Sequence, residues 1–499
     1  MKLIKSTFIA IGISLMVMGA AKLSEAAGKY PSISERFKPV ARQVVADFQK
    51  QKNPLGELPG GTIAWGVSYD MDAFLTMYQA TGDEDYLRYF EKLADAVVAA
   101  RADVRGDKDW KGQIRKGWLT GGVYTLGQPV ILDGENGKPS LEIRTTNNSG
   151  NDKTTIEIIP AADKKTFSII ATNTFRTAAP KVDRFDHLTM EDLEARVNPN
   201  PYKVTLIRVK RLGDTIPRAY KPFTPPTENV VLHGHHTGKI ITPLARFAAM
   251  VKDNAALSQY ASRAQKYLQC SEEAIADMNG DWREKDDYGY YIFEKGIPFW
   301  SDGAPEPFNT LSATGTALLY LYDATGKEEY RDKATKLARL VQSEFHLQDD
   351  GTYNFYYWWG EMRQGWKAED HVSTNTIAYP GQKVVEDLSH LQLTLRFMLE
   401  AHQRGIVFTD QDLQRWSKTF WKHIYRKDAS GKPSLSNRVD GNPPNTEIYN
   451  YAIYGFADFG KADPALVDAC REIYETQFTP INSRAVTIAG WAELAKSDK

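Results

Sequence analysis

Two stretches of the chain repeat one another, and no other feature limits the fold so tightly. "YQATGDEDYLRYFEKLADAV" begins at Tyr78 and "YDATGKEEYRDKATKLARLV" at Tyr322. Each reads Tyr-x-Ala-Thr-Gly, then acidic residues, then Tyr, then apolar residues at three- and four-residue steps. A glycine that can turn left-handed ends one helix at Gly82 or Gly326. The acidic residues favour the positive end of the next helix, and the apolar steps pack the two together. The unit is a helical hairpin.

Other segments have the same character. They include "TPLARFAAMVKDNAALSQYASRAQKYLQC", "LSHLQLTLRFMLEAHQRGIVFTDQDLQRWSKTFWKHIY" and "TEIYNYAIYGFADFGKADPALVDACREIYE". About a dozen helices follow, joined by short connections as antiparallel neighbours. Several are apolar on more than one face, which implies burial on both sides. An open solenoid would show a sustained short repeat. A hairpin echo that recurs once, among irregular loops, predicts a closed ring instead.

On the Thr-Gly-(Asp/Lys)-Glu-x-Tyr corner and the hairpin layout, the helical parts resemble toroidal carbohydrate-active enzymes. These are the six-hairpin glycosidases, polysaccharide lyases and uronyl-processing relatives. The resemblance implies a mainly α fold, an (α/α) toroid, and a polysaccharide or oligosaccharide substrate. It does not account for residues 118–233, where short Val-, Ile- and Thr-rich runs such as "TTIEIIP" and "KTFSIIATN" signal strands. The expected organisation is a signal peptide at 1–27, first hairpins at 28–117, a small β-rich, sandwich-like insertion at 118–233, and the remaining hairpins at 234–499.

Lys2 and Lys5, the apolar run Phe8 to Ala21 and small residues to Ala26 form the three-part pattern of a secretory signal. The apolar run falls short of the roughly 20 residues a span needs. The expectation is an exported protein, periplasmic or extracellular, with no stable membrane insertion after cleavage. Acidic and basic residues nearly cancel (63 against 62), so the basic excess of a nucleic-acid binder is missing. Cys270 and Cys470 could pair in an oxidising compartment. No metal-binding Cys or His spacing stands out, and neither metal nor cofactor is expected.

In a ring of hairpins, loops at one end form a polar cleft. The segment "AEDHVSTNTIAYPGQKVVEDLSHLQLTLRF" offers Asp370, His371, Asn375 and Tyr379 in a loop. Glu386, Asp387 and His390 follow in the first turns of a helix expected from about Lys383. Glu386 and His390 share a helix face; as acids at a helix start, Glu386 and Asp387 also suit simple capping. His371, Tyr379, His390, Asn375, Asp370 and Glu386 are the candidate catalytic set. His233, His235 and His236 precede a second helix, expected near Thr237. Aromatic walls are expected from Trp300 and Asn309 in one segment, and from Trp358, Trp359, Glu361, Arg363 and Trp366 in another. Tyr69 stands beside Trp65 and Asp70 in an early hairpin. A late segment adds Arg438, Asp440, Asn445, Glu447 and Tyr451. The substrate-contact set is Trp300, Asn309, Trp358, Trp359, Glu361, Arg363, His235, His236 and Tyr69.

Three functions fit these residues. A lyase on a uronic-acid polymer would use Tyr and His as acid and base. A glycoside hydrolase would use two carboxyl groups about the scissile bond. A glycan-binding or assembly protein would keep the aromatic wall without catalysis. The concentration of His, Asn and Tyr favours the lyase-type reading.

Overall fold

The structure, a computed structural model, describes residues 32–146, 153–174, 179–198, 205–225, 229–443, 449–461 and 463–498. The signal segment 1–27 and the residues Asn445, Thr446 and Glu447 lie outside them. Twelve principal helices alternate between an outer and an inner ring. The outer helices are α1 (Ile33–Lys50), α3 (Asp85–Ala99), α5 (Ala261–Asp277), α7 (Glu328–Ser343), α9 (Asp410–Thr419) and α11 (Pro464–Gln477). The inner helices are α2 (Ser68–Thr81), α4 (Gly234–Lys252), α6 (Phe308–Thr325), α8 (Leu388–Gln403), α10 (Asn450–Lys461, a 3₁₀ helix) and α12 (Ala485–Lys496). The inner helices pack in chain order, α2 on α4, α6, α8, α10 and α12, and α12 packs back on α2. The ring is closed, and the fold is an (α/α) toroid.

Burial follows from position in the rings. An outer helix hides one stripe, as α1 does with Ile33, Phe37, Ala41 and Val45. An inner helix is enclosed on nearly every side, and α6 is buried from Phe308 to Leu321. Close approach demands small residues. A Cβ on Gly238 of α4 would stand 2.1 Å from Thr314 Oγ1 of α6.

The repeated corner has one geometry in both copies. Gly82 and Gly326 both take φ near 74°, and each N–H donates 2.7 Å to the carbonyl of Tyr78 or Tyr322. The Thr81 and Thr325 hydroxyls donate back to Met77 and Leu321, both at 2.7 Å. Each then accepts the N–H two residues on, Asp83 or Lys327, at 3.1 Å. Thr-Gly therefore recurs because it satisfies the orphan groups of a helix end.

The insertion leaves the ring after α3 and returns before α4, through a stem in which Leu119 pairs with Leu232 and Thr120 with Val231. Within it are a three-stranded sheet, of Val130–Asp133, Pro139–Thr145 and Ile207–Arg211, and a four-stranded sheet, of Lys181–Leu188, Phe167–Asn173, Thr154–Pro160 and Tyr220–Phe223. Both contribute to one separate core, which includes Leu141, Ile143, Ile156, Ile169 and Val209. Cys270 and Cys470 are both buried and free, on α5 and α11. No helix among the described residues is long and apolar enough to cross a membrane.

Deep in the ring the inner helices meet in buried charges. Asp72 of α2 is 4% exposed. It binds Arg246 of α4 at 2.7 Å and Arg396 of α8 through both guanidinium nitrogens. Around it, Glu493 of α12 accepts from Thr76 of α2, Lys496 of α12 binds Asp458 of α10, and Tyr320 of α6 donates to Glu400 of α8. Removing one member of a buried pair strands its partner's charge. Asp72→Ala is expected to cost about 3–5 kcal/mol, read as a fall in the denaturation midpoint at unchanged slope. A change below about 1 kcal/mol, no more than an exposed pair contributes, would show that the clamp does not hold the ring.

Candidate active site

Each inner helix runs from its N-terminus at one mouth of the ring toward the buried charges. At that mouth lies a cavity of about 530 Å³. Its wall takes a residue from the start of every inner helix: Tyr69 of α2, His235 of α4, Asn309 of α6, His390 of α8, Tyr451 of α10 and Ala485 of α12. Trp65, from a turn of π-helix just before α2, and Tyr124, from the root of the insertion, join them. Trp300, Tyr357 and Trp358 complete an aromatic surface of the kind that sugar faces stack on.

The helix at the centre of the candidate set begins at Leu388, not near Lys383. Residues before it are extended, with bridges from Tyr356 to Val385 and from Asp387 to Arg438. Asp387 is the N-cap, and its Oδ1 accepts from the backbone of Ser389 (2.9 Å) and His390 (3.2 Å). Its Oδ2 lies 2.9 Å from His390 Nδ1, and Glu386 Oε1 lies 3.6 Å from the same nitrogen. The imidazole packs against Tyr357, ring centroids 4.8 Å apart and planes tilted by 38°. Capping and site chemistry therefore coexist: one oxygen of Asp387 ends the helix and the other holds the imidazole.

These groups titrate apart. Burial pushes the Glu386 carboxyl up to about 8, and its Oε2 has no hydrogen-bond partner among the described residues. Burial also works against charge on Asp387, but the bonds from His390 and Ser389 outweigh it and hold Asp387 below the usual carboxylate range. Burial opposes charge on His390 as well; the Asp387 carboxylate outweighs it and holds the imidazole above its ordinary value. At neutral pH Glu386 is largely neutral, while its surroundings favour the ionised form of Asp387 and the cationic form of His390. Elsewhere on the wall, burial and then the neighbouring His236 and His233 drive His235 well below the ordinary histidine value. Its Nδ1 has no hydrogen-bond partner among the described residues. Burial pushes Glu306, before α6, up to about 8.

Glu386, Asp387 and His390 are the one group of three among the described residues with ligand atoms within 4.8 Å of one another. Asp387 already spends one oxygen on the helix cap and the other on His390, so the trio is an ion pair with a neutral neighbour, not an open ligand set.

The structure brings Tyr69, His235, Trp300, Asn309, Trp358 and His390 to one cavity, with Glu386 directly behind His390. The remaining candidates fall elsewhere. His236 is buried on the first turn of α4, edge-on to Tyr124 and Trp65; that helix starts at Gly234, not Thr237. Trp359 is core, its Nε1 donating to the Glu306 carbonyl at 2.9 Å. Glu361 is exposed, and Arg363 pairs with Glu344.

The loop predicted to carry catalysis serves a different purpose. Asp302 is fully buried and accepts from Ser373, the N–H and hydroxyl of Thr374, and the N–H of Asn375. The Asn375 amide donates to the carbonyls of Ile297 and Phe299. Tyr379 is buried with its ring against Trp300 and Trp366. Asp370 and His371 are exposed, and Asp370 accepts the Lys367 N–H. Asp370, His371, Asn375 and Tyr379 are therefore not cavity residues. The loop staples itself to Asp302 and braces Trp300 from behind. A polar-rich loop needs partners for its own backbone, and that need supplied the polar residues.

Tyr124, Tyr357, Ser389, Gln392 and Arg484 line the cavity without having been candidates. The signal that would have found most of them is register: Ser389, Gln392 and Arg484 belong to, or adjoin, the first turn of an inner helix.

No family model matches the chain, and comparison with curated proteins finds no match. Among solved structures, it aligns over 94% of its length with 98% of an inactive α-1,6-mannanase variant of a Salegentibacter species bound to α-1,6-mannotetrose, at 10% identity and TM-score 0.45. It aligns over 75% of its length with 100% of a family 76 glycoside hydrolase from a bovine Bacteroides thetaiotaomicron strain, at 11% identity and TM-score 0.33. A cellobiose 2-epimerase from Bacillus thermoamylovorans aligns with 49% of the chain over 61% of its own length, at 16% identity and TM-score 0.33.

The Asp387 carboxylate is expected to keep His390 charged. In Asp387→Asn the His390 titration, followed by NMR of ¹³C-labelled imidazole, should move down by about one unit or more. An unmoved titration would show that the 2.9 Å contact is not what holds the proton.

Proposed function

We propose that the chain is a glycan-cleaving enzyme, a glycoside hydrolase, with its active site in the cavity at the mouth of the toroid. One observation carries the reading: two histidines line one cavity, and their surroundings push their titrations in opposite directions. Such a split assigns an acid and a base at the same pH.

His390, cationic, donates a proton to the leaving oxygen of the glycosidic bond. Asp387 orients the imidazole through Nδ1, leaving Nε2 for the substrate. Glu386, neutral and 3.6 Å away, holds a proton beside it. His235, neutral on another wall, accepts the proton of the attacking water. Trp65, Trp300, Trp358 and Tyr357 stack the sugar rings. The adjacent carboxyl groups thus act through an imidazole, which differs from two carboxyl groups facing each other across the bond.

A second reading uses the same pair. If His235 takes its proton from the carbon beside a uronate carboxylate, the bond breaks by elimination. An arginine at the cavity rim, Arg484, favours this, because that carbon becomes acidic only when the carboxylate is neutralised.

His390→Gln is expected to lower kcat by about 10²–10⁴ with the fold retained. Activity should fall as pH rises through about 8, where Glu386 loses its proton, and His390 loses its own above the ordinary histidine range. New reducing ends without ultraviolet absorbance support hydrolysis, and absorbing unsaturated ends support elimination. Unchanged turnover in His390→Gln would remove the cavity from the reaction.

A further inference from the structure

Charge is distributed unevenly over the cavity. Among the described residues, no Asp or Glu lines it, and Arg484 is the one Lys or Arg that does. Arg484 is exposed at the rim, immediately before α12, with its guanidinium 4.3 Å over the Tyr451 ring. It forms no salt bridge among the described residues. Tyr451 lines the same cavity as Ser389, whose hydroxyl donates to Asp387, so the guanidinium and the acid–base centre share one cavity.

The backbone adds to this charge. All six inner helices point their N-termini at the cavity, and each such end carries a partial positive charge that favours anions. The ionised carboxylate at the mouth, Asp387, is spent on the N-cap and on His390, so its charge is already balanced. Behind Tyr69, Lys239 is 2% exposed with its ammonium 3.8 Å over that ring, and it forms no salt bridge among the described residues. Burial lowers Lys239 to about 7, so it is partly charged at neutral pH. Two buried polar atoms on the wall, His235 Nδ1 and Asn309 Oδ1, have no hydrogen-bond partner among the described residues. A site with this balance favours an anionic occupant over a neutral one.

We infer that the cavity takes an acidic glycan, with Arg484 as the counter-charge for a carboxylate or sulfate group on a sugar ring stacked beside Tyr451. The inference rests on the reading that the cavity is a glycan site, and it deepens that reading by naming the substrate class. The guanidinium fits a planar carboxylate through two parallel hydrogen bonds and sulfate through the same fork. Tyr451 holds it in place, so little freedom is lost on binding.

The test is binding by calorimetry on the full chain at low salt. The probes are oligogalacturonate, oligomannuronate and a glucuronic-acid-bearing xylo-oligosaccharide, the carboxyl-reduced form of each, and a sulfated neutral oligosaccharide. Reduction turns the carboxylate into a hydroxymethyl group and leaves the backbone alone. At least one acidic probe should bind roughly tenfold or more tightly than its reduced form. Arg484→Gln should collapse that preference to within about threefold, and Arg484→Lys should restore part of it, because Lys keeps the charge but not the fork. Binding of the sulfated probe as well assigns a general oxyanion site, whereas its rejection assigns a uronate site; either supports the inference. Equal binding of parent and reduced forms, no binding of any acidic probe, or an unchanged preference in Arg484→Gln overturns it. The two proposals fail separately. Hydrolysis of a neutral glycan with no acidic preference leaves the hydrolase standing and removes this inference. Selective binding of an acidic probe with no bond cleavage does the reverse.

Discussion

A single buried carboxylate organises the centre of this protein. Asp72 joins Arg246 and Arg396, residues of three different inner helices, deep in the ring. Burying charge is expensive unless every partner is present. The helices can therefore close only in an arrangement that brings all three together. The surrounding groups, Glu493 with Thr76, Lys496 with Asp458 and Tyr320 with Glu400, extend this condition to all six inner helices. Apolar packing alone would allow neighbouring helices to slide. The charged cluster sets their depth relative to one another.

That depth determines the opposite end. Arg246 lies eleven residues beyond His235 on α4, and Tyr320 eleven beyond Asn309 on α6, in each case about 16 Å at 1.5 Å per residue. With the deep ends pinned, the first turns arrive together at one level and form the wall of the cavity. The polar end of each inner helix thus becomes functional surface, while its middle is core or clamp. It also follows that six helix dipoles converge on one volume, a property of the ring that no single helix carries.

The loop from Asp370 to Tyr379 shows how composition can mislead. It holds an acid, a base, an amide and a phenol in ten residues, which resembles an active site. Its Ser373, Thr374 and Asn375 satisfy Asp302 and the carbonyls of Ile297 and Phe299, Tyr379 fills the space behind Trp300, and Asp370 and His371 stay exposed. A wide irregular segment has many backbone groups to satisfy, and polar side chains are the local means of doing so. Glu386 and His390 were candidates in sequence as well, but there the acid suited simple helix capping equally. Burial turns them into a proton-holding pair, and burial is a property of the surroundings.

By itself, the sequence determined the hairpins. Corner glycines, the threonines that cap them, acidic first turns and three-to-four apolar spacing are local chemistry, readable within about twenty residues. Ring closure was legible from the irregular repetition of that unit, and the β-rich insertion from its strand-like runs. The tertiary structure decided which polar residues share a volume. Tyr69, His235, Asn309, His390 and Tyr451 lie on five helices and meet only because the ring closes at a common depth. It also decided the protonation of Glu386, His390 and His235, because desolvation and neighbouring charge exist only once distant segments have packed around them.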